Sequence, residues 1–372
     1  MDLEKRIELI RRKPTEELIT ERELRELLET NAHPKHYIGF EISGGVHLGG
    51  LTVALKVRDL MEAGVKPTIW LADYHAWING KLGGDLELIR KVARGYFKQA
   101  FVSLGLEEEK VEYKLASEVY DNDYWKEVLN VAKNTTLQRM LRCVTIMGRK
   151  EGEATESTTV LYPAMQAADV FLLDVDIVHG GMDQRKIHVL AREIAQKMKR
   201  KVPVALHTHL LMGLQGPQKM GFEANEKADV EISSKMSKSN PLTCIYIHES
   251  EEEIKRKIGK AYCPEKEIEN NPLIELCEYI LMRNSSTELE CASAPRDRLR
   301  DGKSTLKIER SAKFGGDVEY ASVQELKSEY SLGKLHPLDL KSAVSKNLAK
   351  MLEPSRKYFQ KHEEFLKVVE KA

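Results

Sequence analysis

The chain has 372 residues, which is enough for two domains of about 150 residues each. Because 42% of the residues are hydrophobic, a sizeable core can form, and this excludes a disordered tail and a small disulfide-stabilised scaffold. The 58 basic and 58 acidic residues cancel, which argues against a protein that coats polyanions. A local basic face is still compatible with this zero net charge.

Targeting and redox features predict a soluble cytoplasmic protein. No apolar run approaches the roughly 18 residues that a membrane span needs, and the first six residues are charged from the second onward, unlike a signal peptide. The cysteines are scattered, with no Cys-x-x-Cys pair, so we expect reduced thiols and no zinc cluster. They are Cys143, Cys244, Cys263, Cys277 and Cys291.

The first two thirds of the chain alternate between predicted strands and helices. A helix is expected at residues 2–12, and a second begins after Thr20, which forms a capping box with Glu23. Strand and helix then alternate as in βαβ units, which predicts the α/β class with a parallel sheet. The predicted strands are 36–42, 67–72, 111–115, 175–179 and 202–207, and the predicted helices are 51–62, 85–104, 124–147, 163–173 and 183–201.

The composition changes near residue 245, beyond which the predicted elements are helices. These are 252–261, 272–281, 323–330 and 336–370. The stretch 296–313 has seven basic and three acidic residues, a net charge of +4. We therefore predict three parts: an N-terminal helical segment at 1–35, an α/β catalytic domain at 36–245 and a helical domain at 246–372.

A glycine-rich loop follows the first strand of the predicted sheet. Residues 43–50 are Ser-Gly-Gly-Val-His-Leu-Gly-Gly and lead into a helix, so backbone N–H groups at the helix start could face a phosphate. The P-loop pattern is absent here, and Gly302-Lys303-Ser304 does not supply it because Asp297 replaces the first glycine. By itself, the loop fits a flexible turn with a surface histidine as well as a phosphate site.

A second motif is the string Lys-Met-Ser-Lys-Ser at residues 235–239. Two lysines three positions apart among small hydroxyl residues suit a loop that binds polyphosphate oxygens, although a solvated basic loop is the alternative. The string follows His47-Leu48-Gly49 by about 190 residues. The pair resembles the two signature motifs of class I aminoacyl-tRNA synthetases.

A third motif places polar side chains on one face of a predicted helix. Tyr162, Gln166 and Asp169 fall at positions i, i+4 and i+7 among apolar neighbours, which indicates a lined pocket, although a solvated face has the same spacing. Two glycines, Gly180 and Gly181, follow at a strand-to-helix turn and allow close backbone approach.

Taken together, residues 37–41, 71–75, 162–169 and 180–186 resemble the archaeal/eukaryotic-type tyrosyl-tRNA synthetases. The segments 313–317 and 336–341 extend the resemblance, which covers about residues 15–358. It implies ATP-dependent attachment of tyrosine to tRNA(Tyr) through tyrosyl-adenylate, with release of pyrophosphate. It also implies a Rossmann-like catalytic domain followed by an all-helical anticodon-binding domain, and a homodimer. Mg²⁺ is expected to arrive with ATP rather than to occupy a dedicated metal site, and no DNA partner is expected.

The resemblance implies a role for individual residues. Tyr37 and Asp169 resemble the pair that binds the substrate phenol hydroxyl, and His47, Lys235 and Lys238 resemble the groups that act on the phosphates. The residues expected to bind tyrosine are Tyr37, Gly39, Glu41, Ala72, His75, Tyr162, Gln166, Asp169 and Gln184. The residues expected to bind ATP are Gly39, His47, Gly49, Gly50, Gly181, Asp183, Lys235 and Lys238. The residues expected to bind tRNA are Phe314, His336 and Asp339 near an anticodon base, with Arg298 and Arg300 of the basic stretch on the backbone.

Two positions depart from the family pattern, and one segment looks like an insertion. Gly50 replaces the usual last histidine of the first motif, so one polyphosphate donor is missing. Trp70 stands where we expect a smaller apolar residue and is interpreted as core packing, and the segment 218–232 has no predicted function.

The chemistry agrees with the family. A pocket that hydrogen-bonds the phenol hydroxyl can reject phenylalanine by roughly 10⁴–10⁵ without editing. Attack of a carboxylate on the α-phosphorus needs positioning and charge stabilisation, so we expect His47 to donate a hydrogen bond rather than act as a base.

Three alternatives stay open at this point. A tryptophanyl-tRNA synthetase shares the motifs, but an indole only donates, whereas the Tyr37–Asp169 pair suits a group that donates and accepts. A non-catalytic tRNA-binding relative would be expected to lack the two lysines or the pocket carboxylate. A nucleotidyltransferase for a small cofactor precursor would not need the helical domain with its basic insert.

Overall fold

The computed structural model describes residues 1–148, 156–221, 225–283 and 305–370. The strands in these ranges are β1 Thr15–Ile19, β2 Lys35–Glu41, β3 Lys66–Ala72, β4 Glu112–Leu115, β5 Ile177–Gly181, β6 Val204–Thr208, β7 Leu306–Ile308 and β8 Val318–Tyr320.

Helices cover both faces of the main sheet and make up most of the rest. They are α1 Leu3–Arg11, α2 Glu21–Thr30, α3 Leu48–Glu62, α4 Asp73–Ile78, α5 Leu86–Val92, α6 Lys98–Ser103, α7 Ala116–Val119, α8 Asn122–Lys133, α9 Leu137–Cys143, α10 Ser157–Leu172, α11 Arg185–Lys197, α12 Glu226–Ser234, α13 Glu251–Lys260, α14 Pro272–Leu276, α15 Val323–Ser331, α16 Pro337–Lys361 and α17 Glu363–Glu370.

The main sheet has the strand order β1-β6-β5-β2-β3-β4. All neighbouring strands are parallel except β1, which is antiparallel to β6, so the predicted α/β class with a parallel sheet is confirmed. The chain runs outward from β2 in one direction through β3 and β4, and later in the other direction through β5 and β6. This reversal creates a crevice at the carboxyl ends of β2 and β5, the usual place for a ligand in such sheets.

Strand β1 was not predicted from the sequence. It lies within the segment 1–35 and extends the main sheet by pairing with β6, with Leu18 opposite Leu206. The capping box of Thr20 and Glu23 is present at the start of α2, as predicted. The two predicted domain boundaries, at 35/36 and 245/246, stay predictions.

Among the described residues beyond 245, the regular elements are helices apart from β7 and β8, which form a small antiparallel sheet that the sequence did not predict. Two predicted helices are interrupted in the structure. The helix predicted at 124–147 breaks before α9, where Thr136 caps a new helix, and the helix predicted at 336–370 breaks at His362. Buried apolar residues of α16 and of α3 belong to one continuous core, which joins the helical part to one face of the main sheet.

The glycine-rich loop after β2 is held by the segment that follows residue 244. Leu48 N–H donates to the Ile245 carbonyl at 3.0 Å, and Ile247 N–H donates to the Val46 carbonyl at 3.1 Å. At the start of α3, Val46 also fills the space beside Gly50, so that a Cβ at position 50 would overlap Val46 Cγ1. The close packing of this loop therefore requires a glycine at position 50.

In the part of the chain that the structure describes, no helix combines the length and the apolar character needed to cross a membrane.

We expect Gly50→Ala to lower the free energy of unfolding by about 1–3 kcal/mol, because the added Cβ must displace Val46. In the double variant Val46→Ala/Gly50→Ala the overlap disappears, so its loss should be smaller than the sum of the two single losses. Urea unfolding of the four proteins measures this coupling. Gly259→Ala is the matched control, since this helical glycine has no atom within 4 Å of a Cβ and alanine should be neutral or stabilising there. Strict additivity between positions 46 and 50 would contradict the packing argument.

Candidate active site

One face of β2 forms the floor of a pocket beside the crevice. Tyr37, Gly39 and Glu41 alternate onto this face, and the side chain of Tyr37 is only 1% exposed. The ring of Tyr37 lies over Gly39, where a Cβ would come within 2.8 Å of the Tyr37 hydroxyl. In the parallel register Gly39 is the partner of Trp70 on β3, and the space beside Gly39 is filled by the Tyr37 ring.

Helix α10 supplies the opposite wall of this pocket. Its polar stripe is not a solvated face, because Tyr162 is 5% and Asp169 is 1% exposed. The Tyr162 hydroxyl donates to Glu41 at 2.7 Å, and the Gln166 amide donates to Gln184 Oε1 at 3.1 Å. Two of the predicted tyrosine contacts are thus directly bonded to two others.

Asp169 is almost fully buried and is bonded by two residues that the sequence did not assign to the site. Trp70 Nε1 donates to Asp169 Oδ2 at 3.1 Å, and the Tyr120 hydroxyl donates to Oδ1 at 2.7 Å. Burial raises the pKa of Asp169 to about 8. The interpretation of Trp70 as core packing alone is therefore incomplete. The sequence did contain a sign of this contact, since a tryptophan inside a predicted strand is expected to be buried and its indole N–H then needs an acceptor.

His75 and Tyr37 also border Asp169. Tyr37 is buried close to it, and burial together with the charge of Asp169 raises the pKa of Tyr37 well above its usual value. The His75 ring meets Tyr162 edge to face, and its Nε2 is 3.9 Å from Asp169 Oδ2, too far for a hydrogen bond. Burial lowers the pKa of His75 to about 3, so the imidazole is neutral. Neither ring nitrogen of His75 has a hydrogen-bond partner among the described residues.

The mouth of the pocket is polar and contains further residues that the sequence did not assign. Glu41 Oε1 accepts from the Asn79 amide at 2.8 Å as well as from Tyr162, and Glu41 Oε2 pairs with Lys81 at 3.4 Å. Ala72, one of the predicted tyrosine contacts, is the register partner of Glu41 and is buried.

His47 caps the helix that follows the glycine-rich loop. Its Nδ1 accepts from Gly49 N–H at 3.0 Å, so the proton of the neutral ring is assigned to Nε2. Burial, with the nearby charges of Lys238 and Lys235, lowers the pKa of His47 to about 3. The ring is therefore a hydrogen-bond donor at neutral pH, which agrees with the role expected for it.

The loop offers fewer backbone donors than the sequence suggested. Val46 N–H is bonded to the Tyr96 hydroxyl, and Leu48 N–H to the Ile245 carbonyl. Gly49 N–H is bonded to the His47 ring, and Gly50 N–H to the His47 carbonyl. Our expectation that these N–H groups face a phosphate is wrong for this conformation, because the protein already satisfies them. These four N–H groups are therefore not available to a ligand in this conformation.

Three charged side chains converge beside this loop. Lys235 Nζ pairs with Asp183 at 2.7 Å, and the pKa of Lys235 is raised, chiefly by the charge of Asp183. Burial lowers the pKa of Lys238 to about 8, and its side chain passes Gly44, whose Cβ would lie 3.7 Å from Lys238 Cδ. Gly181 lies against Asp183, with 2.7 Å between a Cβ there and Asp183 Oδ1. The site thus has an aromatic end around Asp169 and a cationic end around His47.

The predicted tRNA contacts lie in the helical part. Phe314 is 64% exposed, with Lys313 over its ring at 5.7 Å. Arg310 holds the turn that contains Phe314 beside the start of α16, because it bonds the carbonyls of Gly316 and Lys334. His336 caps α16, and Asp339 lies in its first turn. Arg298 and Arg300 lie outside the described residues.

Known proteins resemble this chain along almost its whole length. A family model described as tRNA synthetases class I (W and Y) matches residues 29–233 and 229–353. The tyrosine–tRNA ligase of Thermococcus kodakarensis is 50% identical over 385 aligned residues, which cover 99% of this chain and 98% of the relative. That of Pyrococcus horikoshii is 46% identical over 99% of this chain and 98% of the relative.

Solved structures agree with these relatives. The tyrosyl-tRNA synthetase of Pyrococcus horikoshii, complexed with L-tyrosine, has a TM-score of 0.90, 46% identity and full coverage of both chains. The enzyme of Archaeoglobus fulgidus, also complexed with L-tyrosine, has a TM-score of 0.81 and 40% identity over 96% of this chain and 99% of that one. A tryptophanyl-tRNA synthetase of Aeropyrum pernix shares the fold at a TM-score of 0.66, with 17% identity over 94% of this chain and 84% of that one. The chain belongs to the class I tRNA synthetases for tryptophan and tyrosine, and within them to the archaeal-type tyrosyl-tRNA synthetases.

Proposed function

We propose that this chain activates tyrosine with ATP and transfers it to the 3′ end of tRNA(Tyr), using the pocket around Asp169 for the amino acid and the cationic end of the site for ATP. The observation that supports this most strongly is the buried pair of Tyr37 and Asp169 beside the loop that contains His47. An aromatic amino acid in this pocket would have its side chain near the carboxylate and its carboxyl group towards the phosphates.

The phenol hydroxyl of tyrosine both donates and accepts, and the proposed pocket satisfies both needs. Asp169 accepts from the substrate hydroxyl. Tyr37 keeps its proton because its pKa is raised, so it donates to the substrate oxygen. Phenylalanine would leave these buried groups unpaired, and this opposes its activation.

The ammonium group of the substrate is assigned to the oxygens of Tyr162, Gln166 and Gln184. These side chains are already connected by hydrogen bonds to each other or to Glu41, so they are held in position before the substrate arrives. Preorganised polar groups lower the cost of binding. The Glu41 carboxylate adds attraction for the positive charge.

The activation step is in-line attack of the tyrosine carboxylate on the α-phosphorus, with pyrophosphate as the leaving group. His47 donates from Nε2, and Lys235 and Lys238 stabilise the negative charge that develops on the phosphate oxygens. In the present conformation Lys235 is bound to Asp183, the proposed ribose contact. Ribose hydroxyls that bind Asp183 would weaken this ion pair and free Lys235 for the phosphates.

Mg²⁺ is proposed to enter as the complex with ATP. We propose that the ATP phosphates supply its ligands, as is usual for Mg²⁺ at nucleotide sites. We also propose a cytoplasmic location, where ATP and tRNA are found.

The test of the amino-acid assignment is ATP–pyrophosphate exchange with tyrosine, tryptophan and phenylalanine. We expect exchange with tyrosine, and phenylalanine should be disfavoured by roughly 10⁴–10⁵. Asp169→Ala should lower kcat/KM for tyrosine by about 100-fold because a charge-assisted hydrogen bond is lost, with little change for phenylalanine. Asp123→Ala is the matched control, since this carboxylate is exposed and pairs with Lys126 on the surface. Exchange with tryptophan alone, or unchanged selectivity in Asp169→Ala, would contradict the assignment.

For tRNA, we propose that an anticodon base stacks on the exposed ring of Phe314, next to His336 and Asp339. Phe314→Ala should raise KM for tRNA(Tyr) about tenfold, because base–aromatic stacking contributes roughly 1–3 kcal/mol. Tyrosine-dependent pyrophosphate exchange should stay unchanged, since that reaction does not need the anticodon. Leu332→Ala, another exposed apolar side chain of the helical part, is the control. Equal aminoacylation kinetics for Phe314→Ala and wild type would remove Phe314 from the tRNA site.

We further propose that the chain forms a homodimer through the outer faces of α8 and α9. Trp125, Leu129 and Leu137 are 43%, 67% and 65% exposed, while the opposite face of α8 is buried with Tyr124 and Val128. Exposed apolar side chains on neighbouring helices are typical of an interface between protein chains.

Leu129→Asp should convert the dimer to a monomer in sedimentation equilibrium at micromolar concentration, because the interface would bury an unpaired charge. Leu242→Asp changes an equally exposed leucine elsewhere and should leave the mass unchanged. A wild-type chain that sediments as a monomer would contradict the dimer.

A further inference from the structure

Each carboxylate oxygen of Asp169 accepts a hydrogen bond from a residue outside its own helix. Trp70 lies in the middle of β3, is fully buried, and donates to Oδ2 at 3.1 Å. Tyr120 follows α7 and donates to Oδ1 at 2.7 Å. Two separate elements therefore fix the plane of this carboxylate.

The surroundings of Asp169 give its charge little other support. Among the described residues no lysine or arginine pairs with it, and the closest basic group is His75, which is neutral and at 3.9 Å. The other titratable groups that face it are the hydroxyls of Tyr37 on β2, Tyr124 on α8 and Tyr162 on its own helix. Burial opposes ionisation of Asp169, and hydrogen bonds from Tyr120, Tyr124 and Trp70 favour it.

The Tyr120 hydroxyl is fixed by stacking as well as by its hydrogen bond. Its ring lies 3.6 Å from Tyr124 and 5.9 Å from Tyr74, both in stacked geometry. Trp70 is fixed by the β3 backbone and by full burial, with its ring 5.8 Å from that of Tyr120. Neither donor needs to be ordered when a ligand binds, so the carboxylate is held in a single orientation in advance.

We propose that Trp70 and Tyr120 are positioning residues that fix the orientation of the Asp169 carboxyl group and aim it at the substrate phenol, and so determine the preference for tyrosine over phenylalanine. An ionised carboxylate can accept about four hydrogen bonds, so the two donors leave capacity for the substrate hydroxyl. This inference rests on the proposed function, because it assigns the phenol to Asp169.

The test uses Trp70→Phe and Tyr120→Phe, which each remove one donor and keep an aromatic ring. Pyrophosphate exchange with tyrosine and with phenylalanine is measured from pH 6 to pH 9. Each variant should lose about tenfold in kcat/KM for tyrosine through a higher KM, with little change for phenylalanine. The double variant should lose more than either single variant.

The pH profile separates positioning from general damage. Removing a donor to the charged form raises the pKa of Asp169, so the acid limb of kcat/KM for tyrosine should move to higher pH in both variants. The profile for phenylalanine should not move, because no hydroxyl depends on the charge. Trp77→Phe is the matched control, since it removes the indole of an exposed tryptophan and should leave selectivity and profile unchanged.

The outcomes are distinguishable. If wild type exchanges with tyrosine and both variants keep its selectivity and pH profile, the inference is overturned and the proposed function stands. If wild type does not exchange with tyrosine, the proposed function itself fails. If Trp70→Phe does not fold, Tyr120→Phe decides alone, because it leaves the strand core intact. An equal loss of kcat/KM for tyrosine and for phenylalanine in Tyr120→Phe would indicate a structural role and overturn the inference.

Discussion

The arrangement of this site depends on one buried carboxylate. Asp169 is 1% exposed in an aromatic pocket, and an ionised carboxylate there is costly unless donors surround it. Parallel pairing of β2 and β3 sets Gly39 opposite Trp70, and the Trp70 indole donates to the acid. The donor and the acceptor therefore come from elements that are distant in the chain and adjacent only in the fold.

The opposite end of the site has the reverse electrostatic character. Lys235 and Lys238 lie near His47, and the field of the two lysines helps to keep this imidazole neutral. A neutral ring whose Nδ1 already accepts from Gly49 has one role left, donation from Nε2. A reaction that requires charge stabilisation and no proton abstraction suits this arrangement, which is that of an adenylate-forming site.

Local sequence patterns predicted those parts of the molecule that local interactions determine. The parallel strands, the capping box of Thr20 and the polar stripe of α10 each follow from neighbours within a few positions, and the structure contains them. Strand β1 was missed because its partner, β6, comes almost two hundred residues later. Trp70 and Tyr120 were missed as partners of Asp169 for the same reason, since three different elements bring them together. The burial of α10, which excluded a solvated face, could not be read from spacing alone.

The free N–H groups expected in the glycine-rich loop show a different limit. Glycines at a helix start indicate that the backbone can approach a ligand, but they do not show whether its donors are already used. Here Val46 N–H is bonded to Tyr96, and Leu48 N–H to Ile245. Both partners come from outside the loop, and no pattern within residues 43–50 records them.

Glu41 connects the two ends of the site. Its Oε1 accepts from Tyr162, at the proposed ammonium site, and its Oε2 pairs with Lys81. Lys81 in turn lowers the pKa of Lys238, whereas Glu41 raises it, with burial as the largest cause of the net lowering to about 8. A substrate ammonium beside Glu41 would offset part of this negative charge and weaken the hold of Glu41 on both lysines. The substrate ammonium and the lysines would then compete for one carboxylate, and occupation of the ammonium site would leave the lysines freer to bind the phosphates of ATP.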